Sequence, residues 1–200
     1  MQGSTYRTKS LGEANGLIAQ LQTEHRYSAE HCFAVEEITS AILDVISHPW
    51  DSQEVSMVLA GARFHDIGKL RVPISILDKP GKLTADEFAI IQTHPNYGVE
   101  LLQQSGEKFP QIVYDIVRYH HEAYRQNCGG YPTGLIGEDI PLAARVVAVA
   151  DVWHALTSVR SYKSAMATAE AAVVLQGMAS SKLDPFLVRP FLQTVMAVAA

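Results

Sequence analysis

Residues 28–46 read SAEHCFAVEEITSAILDVI, and their spacing decides the fold class. Val35, Ile38, Ile42, Val45 and Ile46 fall on one stripe when the chain is wound at 3.6 residues per turn, with Ser28 in N-cap position before them. The same period recurs outward. Residues 11–21 read as a short helix, and Asp51 or Ser52 caps a segment that carries Val55, Val58, Leu59 and Ala62 toward His65-Asp66 and stops near Gly68. Thr84-Ala85-Asp86-Glu87 has the form of a capping box and opens a helix predicted to run through Ile90, Ile91 and His94. Helices are further predicted over 111–121, 142–158, 168–178 and 185–198. Residues 145–149 are β-rich in composition but lie inside a longer helical pattern. The expectation is an all-α fold, one compact bundle-like domain. It carries a long irregular stretch at 122–141, marked by Gly129, Gly130, Pro132, Gly134 and Gly137.

The 200 residues are 48% hydrophobic and 18% charged, enough apolar side chain for one core. Sixteen basic against 21 acidic residues give a net charge of −5, which argues against a surface that coats DNA or RNA. Cys32 and Cys128 are too far apart in sequence for a CxxC zinc site or a disulfide framework. The most apolar stretch, 143–159, is interrupted by Arg145, Asp151 and His154, so no membrane span is expected and a cytoplasmic location is. Eight histidines stand out in this acidic chain.

Placed on the predicted helices, His31, His65, Asp66, His94, His120, His121 and Asp151 fall among apolar neighbours. Each alone reads as a satisfied core residue. Seven buried together without a charge partner would be costly, and a metal cluster satisfies all of them. Neighbouring helical residues point about 100° apart, so the adjacent pairs His65-Asp66 and His120-His121 can serve two ions side by side, or one ion where a helix end is distorted. Imidazole and carboxylate without thiolate suit iron, manganese or zinc, the first two being more natural in an octahedral site.

The ordered motifs carry a resemblance. His65-Asp66-Ile67-Gly68-Lys69 is an HD doublet with its lysine, and Gly130-Tyr131-Pro132 is a GYP triplet. The segment 77–84, the spacing of Glu87, His94 and Gly98, and the run from Leu135 through Arg145, Asp151, Ala155-Leu156-Thr157-Ser158, Arg160 and Lys163 accompany them. Over about residues 27–163 the chain resembles the HD-GYP family of bacterial cyclic di-GMP phosphodiesterases. The resemblance implies a catalytic domain at 27–165, a helical lead-in at 1–26, and C-terminal helices at 166–200 packed on the same domain. It implies two divalent ions, iron or manganese. His31, His65, Asp66 and Asp151 would ligate one of them, and Asp66 would bridge to a second held by His94, His120 and His121. Asp66 and Lys69 would be catalytic, with Lys69 on the scissile phosphate. Lys69, Tyr131, Arg145, Arg160 and Lys163 would meet the rest of the substrate. Such a metal pair, about 3.5–4 Å apart, can acidify a bridging water for in-line attack at phosphorus. The implied reaction hydrolyses cyclic di-GMP to pGpG and onward to GMP. A diguanylate cyclase or another signalling protein is the partner expected at the GYP loop, and an oligomer is compatible with the pattern.

Three departures from the family pattern are specific to this chain. The segment between His121-Glu122 and Gly130 is two residues longer than usual, and Asn127-Cys128 stands where Asp-Gly is expected. Asn tolerates the left-handed conformation that the missing glycine supplied, but the loop's charge and route must change. His154 occupies a position that is usually Asp. It reads as an extra ligand, a partner to a ligand, or a polar contact to a neighbouring loop, the last being the expectation. Tyr27 stands where some relatives have a third-metal glutamate, which favours two ions. Glu30 and Glu122 read as partners of ligands or as solvated carboxylates. The competing functions are a non-catalytic signalling module and an HD phosphohydrolase for another cyclic or linear nucleotide.

Overall fold

The structure, a computed structural model, describes residues 12–159 and 164–198. Among these the chain is helical, with no strand and one isolated bridge between Ala179 and Leu183. The helices are α1 (Gly12–Glu24), α2 (Arg26–Leu43), α3 (Ser52–Phe64), α4 (Ile74–Leu77), α5 (Ala85–Ile91), α6 (His94–Gln104), α7 (Gln111–Tyr119), α8 (Leu142–Thr157), α9 (Thr168–Met178) and α10 (Pro185–Val198). Short 3-10 turns occupy Ile67–Arg71 and Gly137–Asp139. The all-α expectation is met, and no helix among the described residues is long and apolar enough to cross a membrane.

Local signals account for most ends. Thr84 caps α5 as expected, its side chain accepting from the Glu87 amide while Glu87 reaches back to the Thr84 amide. Asp51 and Glu54 form a second capping box at the start of α3. Helix α2 starts three residues earlier than the sequence suggested: His25 is its N-cap, without a side-chain cap bond, and Ser28 is buried inside the first turn. His25 is itself buried.

The larger correction concerns His94, which is not in mid-helix. It begins α6, after α5 has ended at Ile91. Pro95 is the cause. A proline ring in a continuous helix clashes with the carbonyl four residues back, here that of Ile91. The chain breaks there, and His94 Nδ1 donates to the Ile91 carbonyl at 2.7 Å.

Helix α2 packs along α3 and α8, and α3 along α7. Two apolar cores result. One gathers Val35, Ile42, Val58, Val147, Leu175 and Phe191 from α2, α3, α8, α9 and α10; the other gathers Leu21, Ala29, Phe64, Ile67, Leu102 and Val117 from α1, α2, α3, α6, α7 and the first 3-10 turn. Helices α2, α3 and α7 contribute to both. At about 1.5–3 kcal/mol for each fully buried large side chain, these cores give the frame that holds the polar cluster in place. Trp153 packs edge-on against Phe191 within the first of these cores.

Candidate metal centre

All seven candidate ligands converge. Asp66, His94, His120 and His121 present donor atoms within 4.8 Å of one another, and so do His31, His65 and Asp151. The carboxylate of Asp66 lies between the groups: its Oδ1 is 3.2 Å from His94 Nε2 and 4.0 Å from His120 Nε2, and its Oδ2 is 3.4 Å from His65 Nε2 and 3.6 Å from His31 Nε2. The two adjacent pairs therefore resolve differently. Both pairs follow a helix end, His65-Asp66 after Phe64 of α3 and His120-His121 after Tyr119 of α7. His65 joins one group while Asp66 faces both, and His120 and His121 fall in the same group.

The protons are placed by the helix ends. The last carbonyls of a helix lack intrahelical partners, and a carbonyl can only accept. His65 Nδ1 is 2.7 Å from the Ala62 carbonyl, His94 Nδ1 2.7 Å from that of Ile91, and His120 Nδ1 3.1 Å from those of Ile116 and Val117. Each Nδ1 must carry hydrogen, which in the neutral ring leaves the Nε2 lone pair pointing into the cluster. Inside it, nitrogens face nitrogens: His31 and His65 Nε2 are 3.3 Å apart, His94 and His120 Nε2 3.4 Å. Asp66 Oδ1 is buried without a hydrogen bond of proper geometry.

Burial lowers His31 and, more strongly, His120, and brings His121 down to about 3. Burial lowers His65 too, but the charge and hydrogen bond of Asp66, with Asp151 and the Ala62 carbonyl, together raise it overall. Despite burial, Asp66 is held well below the carboxylate range by Lys69 and His65, and Asp151 by His31. Imidazoles gathered around two ionised carboxylates are the donor set of a divalent-cation site, and the fit is good.

The remaining predicted residues separate clearly. Lys69 Nζ donates to Asp66 Oδ2 and lines a cavity of about 380 Å³ with His31, His94, His121, Tyr131 and Asp151. Tyr131 stacks on His121 with ring centroids 4.7 Å apart, and burial raises its phenol. Arg145 is elsewhere. Its guanidinium donates to Asp184 and to the Ile140 carbonyl, beside a different cavity. The structure does not bring it to the cluster, because Asp184 from the segment before α10 takes up its charge. Arg160 and Lys163 lie outside the described residues.

The GYP loop is tied to the ligand-bearing segment. The Tyr131 amide donates to the His121 carbonyl at 3.1 Å, and a Cβ at Gly130 would stand 2.3 Å from the Ala123 nitrogen, so only glycine permits this approach. Buried Glu122 accepts from the Thr133 amide and hydroxyl and from the Gly134 amide. It is a buried loop anchor, where the sequence reads as a partner of ligands or a solvated carboxylate. Asn127 adopts φ 62°, the left-handed conformation anticipated for it. The lengthened loop runs to the turn after α9, where the Tyr124 and Arg125 amides donate to the Lys182 and Ser181 carbonyls.

Among the described residues His154 partners a candidate ligand: its Nδ1 is 2.6 Å from His31 Nδ1. Tyr27 bonds Ser158 across 3.3 Å, and Glu30 pairs with Arg26 at the surface.

The profile of the family described as "HD domain" matches residues 17–187. The chain is 43% identical over 156 residues to the cyclic di-GMP phosphodiesterase response regulator RpfG of Xanthomonas campestris, covering 74% of this chain and 41% of that protein. It is 40% identical over 140 residues to 3'3'-cGAMP-specific phosphodiesterase 2 of Vibrio cholerae, covering 70% of this chain and 26% of that one. The crystal structure of the HD domain of the Listeria monocytogenes phosphodiesterase PgpH, in complex with cyclic di-AMP, superposes with a TM-score of 0.66 at 18% identity, over 92% of this chain and 95% of that domain. The chain thus spans less than half the length of these two curated relatives. With the profile covering residues 17–187, the chain belongs to the HD domain family.

Proposed function

We propose that this chain is the catalytic domain of a metal-dependent phosphodiesterase that opens cyclic di-GMP to pGpG, with GMP as the product of a second cut. The observation that carries this reading is the position of Asp66, one oxygen toward each group of imidazoles whose lone pairs face inward. His31, His65, Asp66 and Asp151 would hold one divalent ion, and Asp66, His94, His120 and His121 a second, iron or manganese by donor type. When bound, such a pair supplies positive charge for the phosphodiester and a more acidic water.

The chain's own residues then have defined tasks. Lys69 brings an ammonium to the cavity, where it offsets charge developing on phosphoryl oxygen. Tyr131, pinned by the clasped GYP loop, closes one side. A groove of about 1190 Å³ shares Lys69 and Ile91 with the cavity and is lined by Arg26, Tyr27, Lys79, Lys82 and Phe88. It offers a macrocyclic diester room beyond the phosphate being cut. An acidic protein can thus bind a small dianion through local cations.

Relatives acting on cyclic di-GMP and on 3'3'-cGAMP support the cyclic dinucleotide class, so 3'3'-cGAMP is the second reading. The GYP loop remains the surface proposed for a signalling partner. The test is turnover of cyclic di-GMP, 3'3'-cGAMP and cyclic di-AMP by iron- or manganese-loaded protein, with metal content measured on the same sample. Cyclic di-GMP should be converted fastest, and Asp66→Ala should lose both ions and all turnover. A fully loaded protein that cleaves none of the three would refute the reading.

A further inference from the structure

Of the five imidazoles in the cluster, His65, His94 and His120 are oriented by main-chain carbonyls; His31 is oriented differently. Its Nδ1 meets a side chain, His154 Nδ1, at 2.6 Å, with ring centroids 4.8 Å apart and planes tilted by 39°. Two nitrogens bound to one ion at about 2.0–2.1 Å each would sit farther apart than this in tetrahedral or octahedral geometry. The contact is therefore a hydrogen bond between rings and not a shared metal.

Helix α8 holds His31 from both sides. Asp151 Oδ1 is 3.1 Å from His31 Nε2, and His154, three residues further on the same face, meets Nδ1. Only one assignment leaves Nε2 free for a cation: His31 carries its proton on Nδ1 and donates it, and His154 Nδ1 accepts. The reverse assignment puts a proton on Nε2, facing Asp151, and blocks coordination there.

We propose that His154 is a positioning residue for the metal centre, accepting from His31 Nδ1 so that His31 Nε2 presents its lone pair to the ion shared with His65, Asp66 and Asp151. The inference rests on the metal-centre reading above. It also states what the departure at position 154 does: an imidazole acceptor takes the part that a carboxylate or carbonyl plays behind metal-bound histidines in general.

The test compares His154→Leu, which removes the acceptor, with His154→Asp, whose Oδ lies as many bonds from Cβ as Nδ1 does. Affinity for manganese is measured by chelator competition at each of the two sites. The Leu variant should bind one ion about 10–100-fold more weakly and the other as the parent does, while the Asp variant keeps the parent's affinity for both. In zinc-loaded parent protein, a ¹⁵N–¹⁵N coupling through the hydrogen bond should link the two Nδ1 atoms, with the proton on His31. A Leu variant that binds both ions as tightly as the parent would overturn the proposal, and so would an Asp variant as weak as Leu. Should the Leu variant not fold, the Asp variant decides: retained affinity supports the role and lost affinity refutes it. A parent chain that takes up no metal would instead refute the metal-centre reading itself.

Discussion

Arg145 and Asp184 form an ion pair across 39 residues of chain, with only 14% and 2% of their side-chain surfaces exposed. The pair fastens α8 to the start of α10, and the same guanidinium holds the Ile140 carbonyl at 2.9 Å. Removing one partner leaves the other charge buried and unpaired, a loss on the order of 3 kcal/mol. Arg145→Ala should therefore lower Tm by roughly 6–12 °C while leaving KM for the dinucleotide unchanged. A raised KM with an unshifted Tm would return Arg145 to the substrate-binding role that its place in the motif implied.

Gly68 sets the distance between the HD segment and α6. A Cβ there would lie 1.9 Å from the His94 carbonyl oxygen and 2.5 Å from the Gly98 nitrogen, both main chain and unable to swing aside. Gly68→Ala should displace His94, costing about 1–3 kcal/mol of stability as overpacking does and loosening one metal ion. Metal analysis of the folded variant should give close to one ion per chain. Two ions bound with parental affinity would show that α6 can shift without moving its histidine.

Glu122 anchors the GYP loop with bonds of 2.7 Å from both the amide and the hydroxyl of Thr133. In Glu122→Gln the amide group keeps one acceptor oxygen, without its charge, and presents N–H to the Gly134 amide, which itself donates. About 1–3 kcal/mol of charge-assisted bonding is lost. The expected result is faster proteolysis within residues 123–136 and a higher KM, since Tyr131 is no longer pinned, with both metal ions retained.

Acid should destabilise the metal-free protein well above the carboxylate range. His31, His120 and His121 are depressed from an ordinary value of 6.5, His121 to about 3. Below pH 6.5 the unfolded chain binds protons at these rings that the folded chain refuses, so their stabilisation is full above that pH and is lost as pH falls. His65, raised by Asp66, runs the other way and offsets part of this: its contribution is present at low pH and lost as pH rises through its folded value. Asp66 and Asp151, held low, keep their contribution until pH falls below about 3.9. With three rings against one, the urea midpoint of apoprotein should fall from pH 7 to pH 5. A flat or rising midpoint would contradict this balance.

Much of the scaffold was legible because it rests on local rules. Helix period predicted α9 and α10 at their observed limits, and the Thr84–Glu87 spacing marked the start of α5. The break before His94 had a signal in Pro95 that hydrophobic period alone overrode. The Asp51–Glu54 box was equally readable from its spacing. The pairing of Arg145 with Asp184 was not legible, because the motif position of Arg145 says nothing of a residue that reaches it only through the packing of α10 against α8. For the same reason the contact between His154 and His31, 123 residues apart, has no trace in local sequence.

By itself, then, the sequence determined the helical class and the chemical identity of the cluster, since side-chain period and residue type are properties of the chain. The tertiary structure alone decided which nitrogen of His65, His94 and His120 faces inward, how Asp66 divides its two oxygens, and that Lys69 lines the cavity while Arg145 pairs with Asp184. These depend on where helix ends leave carbonyls unpaired and on which distant segments pack together. A hydrogen bond has a direction and a reach of about 3 Å, so only the assembled fold can assign its partners.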